Sequence, residues 1–210
     1  MNDVTPDNAR FFDLKDASGA IVAQVTPGSP ADHAGLKTGD VIRQLNGDKN
    51  ENGSALQVAV SEDQPGTKIT LGILRNGQPQ SIPITVGEFN GNNPTEAADN
   101  SNSNPNGNRT GKLGLAVGNI TDDARQQLNV PESVHGAIIE TVRPGSPAED
   151  AGLSRGNIIL EVNRKPTTSA SQFADQVRAT PPGRDILLLV WIKGNSTFIT
   201  VHPSANNPGE

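Results

Sequence analysis

Apolar residues in this chain come in short runs, rich in β-branched types and broken by Gly, Pro and Asn, of the kind strands prefer. Ala20 to Val25, Val41 to Leu45, Lys68 to Arg75 and Ser81 to Val86 read as strands. Between them lie helical signals. Ser29 is placed as an N-cap, Pro30 occupies the first helical position, where its missing N–H is harmless, and Gly35 and Leu36 fit the C-terminal cap. A second helix is expected from Ser54, where Ser-Ala-Leu-Gln has capping-box spacing. The whole pattern then recurs at an offset of 117 residues, without a gap from Ala20/Ala137 to Gly77/Gly194. The second set of strands is Ala137 to Val142, Ile158 to Val162, Asp185 to Ile192 and Thr197 to Val201, with helices at Ser146 to Ala151 and about Ser171 to Ala179. A unit this long is a domain, since solenoid repeats run about 20–50 residues.

The expected organisation is a first domain over 1–87, a linker over 88–111, a second domain over 112–203 and a tail over 204–210. The linker is rich in Asn, Gly, Ser and Pro and has almost no apolar residue after Phe89, so it cannot bury enough surface to offset its ordering entropy. As a flexible coil it spans about 25–30 Å. The fold class expected is mostly β with short helices (α+β): two partly open β-barrels or sandwiches on one string. With 210 residues, each copy is long enough to bury its own core.

Charge and composition remove several function classes. The net charge of -6 argues against a nucleic-acid or anionic-membrane partner, and five Phe, one Trp and no Tyr offer few stacking platforms. No apolar run approaches the roughly 20 residues of a membrane helix, and Met1 to Val4 lack the character of a secretory leader. Cys is absent, which excludes disulfides and thiolate chemistry. Three histidines, His33, His135 and His202, are too few and too scattered for a metal centre. Gly194-Asn195-Ser196-Thr197 looks superficially like a serine-protease nucleophile turn, yet it falls in an expected hairpin and lacks the following glycines. Gly111-Lys112-Leu113 fails as a phosphate loop because Leu113 replaces Ser or Thr. No catalytic residue, metal or cofactor is assigned.

Pro-Gly-Ser-Pro-Ala-x-x-Ala-Gly-Leu-x-x-Gly-Asp-Val-Ile at Pro27 to Ile42, followed by Asn46-Gly47 and repeated from Pro144, resembles the bacterial PDZ domain. The tandem is similar to the C-terminal half of HtrA (DegP/DegQ) type periplasmic serine proteases. Thr5 to Phe12 and Thr121 to Arg125 resemble the short helix that follows the peptide-binding strand of that group. The resemblance implies capture of a C-terminal or extended peptide by strand addition, with its carboxylate held in a loop of main-chain amides. It implies partners among unfolded proteins, a protease domain elsewhere in the parent, self-assembly and a periplasmic location. In the second copy Lys112, Leu113 and Gly114 take the place of the loop, and Leu115, Ala116 and Val117 that of the strand. Ala174 and Val177 are the groove candidates on the helix, Phe173 and Leu56 are core, and Lys112 or Arg109 supplies positive charge. The first copy begins at Met1 to Val4, which matches positions beyond that strand, and it presents only Gln57 and Val60 to an incomplete groove. The absence of a protease domain and of the first loop implies a truncated chain. The alternatives are a stand-alone adaptor, the paired soluble domains of a membrane-embedded protease, or a hydrolase acting through Ser196.

Overall fold

A computed structural model of the chain describes residues 1–87, 111, 113–132 and 134–203. It divides into two units, Met1–Gly91 and Asn92–Glu210. The expected linker, except Gly111, and the expected tail lie outside the described residues, as do Lys112 and Arg109.

The first unit runs β1 (Asn2–Asp3), α1 (Pro6–Ala9), a 3-10 turn (Arg10–Phe12), β2 (Ala20–Ile21), α2 (Pro30–His33), β3 (Val41–Leu45), β4 (Asp48–Lys49), α3 (Gly53–Glu62), β5 (Lys68–Arg75) and β6 (Gln78–Thr85). The strands form one sheet in the order β1-β2-β3-β5-β6, with β4 hairpinned onto β3. Inside it pack Ala20, Val22, Leu36, Ile42, Leu56, Ile69, Leu71, Ile73 and Ile82. The second unit runs β7 (Leu115–Asn119), α4 (Asp122–Gln127), β8 (Ala137–Val142), α5 (Pro147–Asp150), β9 (Ile158–Val162), β10 (Lys165–Pro166), α6 (Ala170–Ala179), β11 (Ile186–Ile192) and β12 (Asn195–Val201). Its sheet follows the order β12-β11-β9-β8-β7, the same topology. Both sheets are antiparallel and open rather than closed barrels.

The short helices end as their sequence dictates. Ser29 and Ser146 accept hydrogen bonds from the Asp32 and Glu149 amides. Gly35 and Gly152 take φ of +80° and +79°, a conformation glycine adopts without steric cost. Leu36 N–H then donates to Ala31 O and Leu153 N–H to Ala148 O, each at 3.0 Å, closing the Schellman motif.

Three expectations are corrected. The strand from Ala20 to Val25 keeps ladder pairing only at Ala20–Ile21, because β1 offers it two residues, whereas the five-residue β7 pairs every residue of β8 except Glu140. Met1 to Val4 do not all lie beyond the edge strand: Asn2 pairs with Ile21 and Asp3 with Ala20, the register of Gly118 with Ile138 and Asn119 with Ala137. The cap of α3 is Asn52, whose Oδ1 accepts from Ala55 N–H at 2.8 Å, so Ser54 lies inside the helix.

Candidate functional site

β7 begins at a tight loop. Gly114 takes φ +77°, and a Cβ there would fall 2.6 Å from Ser146 Oγ, so any side chain would be expelled. The loop is fastened at both of its carbonyls. Arg143 N–H donates to Gly114 O at 2.8 Å, and Ala148 N–H, in the first turn of α5, donates to Leu113 O at 3.2 Å. Leu113 and Leu115 turn their side chains into the core with Ile139, Ala148, Phe173 and Val177. Main chain is therefore what the loop presents outward. The Gly114 amide closes a turn onto Gly111 O at 2.8 Å, while the Leu113 amide donates to no described residue.

Beyond the loop, β7 has one strand neighbour, β8, among the described residues. The opposite wall is α6. Its first N–H, from Ala170, donates to Asn119 Oδ1 at 2.9 Å, which ties the helix N-terminus to the far end of β7. From there α6 returns towards the loop, where Val177 joins Leu113 and Leu115 in one buried cluster. Val117 and the half-buried Ala174 lie between. The far side of the helix is fixed to the β9–β10 hairpin. Thr167 Oγ1 donates to Gln176 Oε1 at 2.6 Å, Gln176 Nε2 to Pro166 O at 2.9 Å, and Asn163 Nδ2 to Thr180 Oγ1 at 3.1 Å. The result is a strand edge and a helix held a fixed distance apart, with an apolar floor and a loop at one end.

Of the residues singled out in the sequence, Leu113, Gly114, Leu115, Ala116 and Val117 follow one another through the loop and into β7. Ala174 and Val177 stand on α6, and Phe173 and Leu56 are buried in their respective cores. Val177 is more core than wall, at 8% exposure. Sequence reasoning gave Asn119 and Arg143 no part in the site and read Ser146 only as a helix cap. All three sit at element ends, and the only trace of Asn119 in the sequence is Asp3, whose Oδ1 accepts from Gly53 N–H in the first copy. Ser196 lies in the β11–β12 hairpin, on β12 opposite Trp191. Among the described residues no group of three His, Asp or Glu could hold a metal ion, and no helix is long and apolar enough to cross a membrane.

Comparison with known proteins places the two domains. PDZ-domain family models match residues 5–86 and residues 138–192. A probable periplasmic serine endoprotease, DegP-like, of Chlamydia trachomatis serovar D is 35% identical over 190 residues, covering 90% of this chain and 36% of that protein. Proteins of the same description from Hahella chejuensis and Pseudomonas fulva are each 32% identical, over 96% and 95% of this chain and 42% and 41% of theirs. The chain thus spans about two fifths of the curated relatives it matches. Among solved structures, the HtrA3 PDZ domain bound to a phage-derived ligand aligns at 26% identity and TM-score 0.38, over 44% of this chain and 84% of that one. An HtrA-type protease, AlgW, with a decapeptide aligns at 27% identity and TM-score 0.39, over 46% and 30%. With two domain matches and homology along nearly its whole length, the chain belongs to the PDZ-domain family as a tandem pair corresponding to the C-terminal part of DegP-like serine endoproteases.

Proposed function

We propose that this chain is the peptide-recognition module of an HtrA-like serine protease of the periplasm, and that its second domain captures the carboxyl ends or extended segments of unfolded proteins. The observation that carries the reading is the edge of β7, which faces α6 across an apolar floor and starts at the loop around Gly114. An extended peptide added to that edge would satisfy its main chain in the ladder and sink alternate side chains towards Leu115, Val117 and Ala174. Burial of one Leu- or Val-sized terminal side chain contributes about 1.5–3 kcal/mol. The chain-end carboxylate would take the Leu113 and Gly114 amides by displacing Gly111, whose carbonyl accepts from Gly114 N–H at 2.8 Å and whose N–H donates to Leu115 O at 3.2 Å. Charge-assisted bonds of that kind contribute about 1.5–3 kcal/mol each. Together with the main-chain ladder, and against the cost of association, these contacts are expected to give micromolar affinity, about -8 kcal/mol. A protease domain and further copies of the parent protein would be the other partners.

The test is titration of the 210-residue chain with a fluorescent peptide ending in free Val, beside the same peptide amidated. The free acid is expected to bind in the micromolar range, the amide at least about tenfold more weakly. Gly114→Val, which forces a side chain onto Ser146, is expected to abolish the difference. Equal binding of acid and amide would overturn the reading.

A further inference from the structure

β8 carries one residue more than β7 requires. The register passes from Val117 paired with Ile139 to Ala116 paired with Thr141, which leaves Glu140 without a partner on β7. Bulges of this kind re-aim a side chain and sit beside functional edges. Here the re-aimed group is an exposed carboxylate, and it lies across Gly118. A Cβ added at Gly118 would fall 2.8 Å from Glu140 Cδ and 3.4 Å from its Cγ. Only a glycine leaves room for this. Glu140 therefore reaches over the outermost strand and stands, on its outer face, where the side chain of an edge residue would stand. Among the described residues it forms no ion pair.

We propose that Glu140, through the gap left by Gly118, selects a basic residue three positions before the carboxyl terminus of the bound peptide. The inference rests on the peptide-binding reading above and deepens it. A chain end held at Leu113–Gly114 places the last residue opposite Leu115, and antiparallel counting then sets the third residue before it opposite Gly118. Directly opposed positions have Cβ atoms about 4.5–5.5 Å apart. That residue points to the outer face, away from α6, because side chains alternate along a strand. A Lys or Arg there meets the carboxylate within the reach of its own stem; an Asp or Glu meets a like charge. The first copy carries Ala23 at the position equivalent to Glu140, so the preference belongs to the second domain.

Three fluorescent peptides with free carboxyl ends, finishing Lys-Thr-Ala-Val, Ala-Thr-Ala-Val and Glu-Thr-Ala-Val, are titrated against the full chain at low and high salt. The Lys peptide is expected to bind about fivefold tighter than the Glu peptide, the ratio that roughly 1 kcal/mol of cross-strand charge pairing produces, with a smaller ratio at high salt. Glu140→Gln is expected to level the three peptides, and Glu140→Lys to invert their order. Gly118→Ala, which evicts the carboxylate without removing it, is expected to erase most of the preference. If the wild-type chain separates free acid from amide but treats Lys and Glu alike, the role of Glu140 is overturned and the peptide-binding reading stands. If none of the three peptides binds, both are overturned.

Discussion

Single residues in this chain are decided by what lies one strand away. Glu161 on β9 pairs in register with Leu189 on one side and Pro166 on the other. Burial raises its carboxyl above the ordinary range, and the charge of Arg164 offsets only part of the rise. The folded form therefore holds the proton to higher pH than the unfolded form does. Stability falls as pH rises from the unfolded pKa through the higher folded one, and the cost of the buried charge is complete above the folded pKa. Glu161→Gln is accordingly expected to raise Tm at pH 7, with the gain vanishing below the ordinary carboxylate range. Calorimetry at several pH values checks it; a constant difference, or a loss at pH 7, would refute the burial argument. Asp40 in the first copy meets its charge in another way. It accepts from Arg75 Nε at 2.7 Å and from Lys37 N–H at 2.8 Å, and this pairing raises the Arg75 pKa. The second copy puts Asn157 and Ile192 at the same two positions, trading an ion pair for a cap and apolar packing.

Elements were legible in the sequence where local chemistry alone decides them. Ser29–Pro30 and Ser146–Pro147 start helices, and Gly35 and Gly152 stop them, because a cap needs only its own neighbours. The loop and strand from Leu113 to Val117 were legible because their apolar register matches the motif. What depends on a partner strand was not. The ladder over Ala20 to Val25 stops after two residues, and the displaced Glu140 leaves no mark in the hydrophobic pattern, since a bulge is set by pairing. The tie between α6 and β7 is of the same class, a bond between residues 51 positions apart. Asn119→Ala would strip the Ala170 N–H of its acceptor, at a cost of about 0.5–2 kcal/mol by analogy with a lost cap. It is also expected to weaken peptide binding severalfold, because the helix wall loses its attachment to the strand edge. Ser169→Ala is the control. It removes the Oγ that accepts from Gln172 N–H, the N-cap of the same helix, at similar cost but without touching that attachment. Equal losses of affinity in the two variants would mean that the bond stabilises the helix without setting the groove.

Across the whole molecule, the two copies share a scaffold and differ in the edge strand that each presents within this chain. Both units keep the sheet order, the capped helices, and the bond from an edge-strand side chain to the first amide of the long helix, Asp3 to Gly53 and Asn119 to Ala170. Within this chain the difference lies at the strand that would receive a ligand. In the second unit it has five residues, behind a glycine loop whose Leu113 and Leu115 complete the core; in the first it is Asn2–Asp3 alone. Gln57 and Val60 of α3 therefore face no counterpart of Leu115 or Val117 within this chain. An added peptide needs a ladder to pair with, and two residues fix too few hydrogen bonds to offset the entropy of ordering an extended segment. Isothermal titration of the 210-residue chain with a peptide ending in free Val is expected to return one site per chain. Gly114→Val, which disrupts only the second unit's loop, is expected to remove that site entirely. A stoichiometry of two, or a residual site of unchanged affinity in the Gly114→Val chain, would mean that the first unit recognises peptide through a surface other than the edge of its sheet.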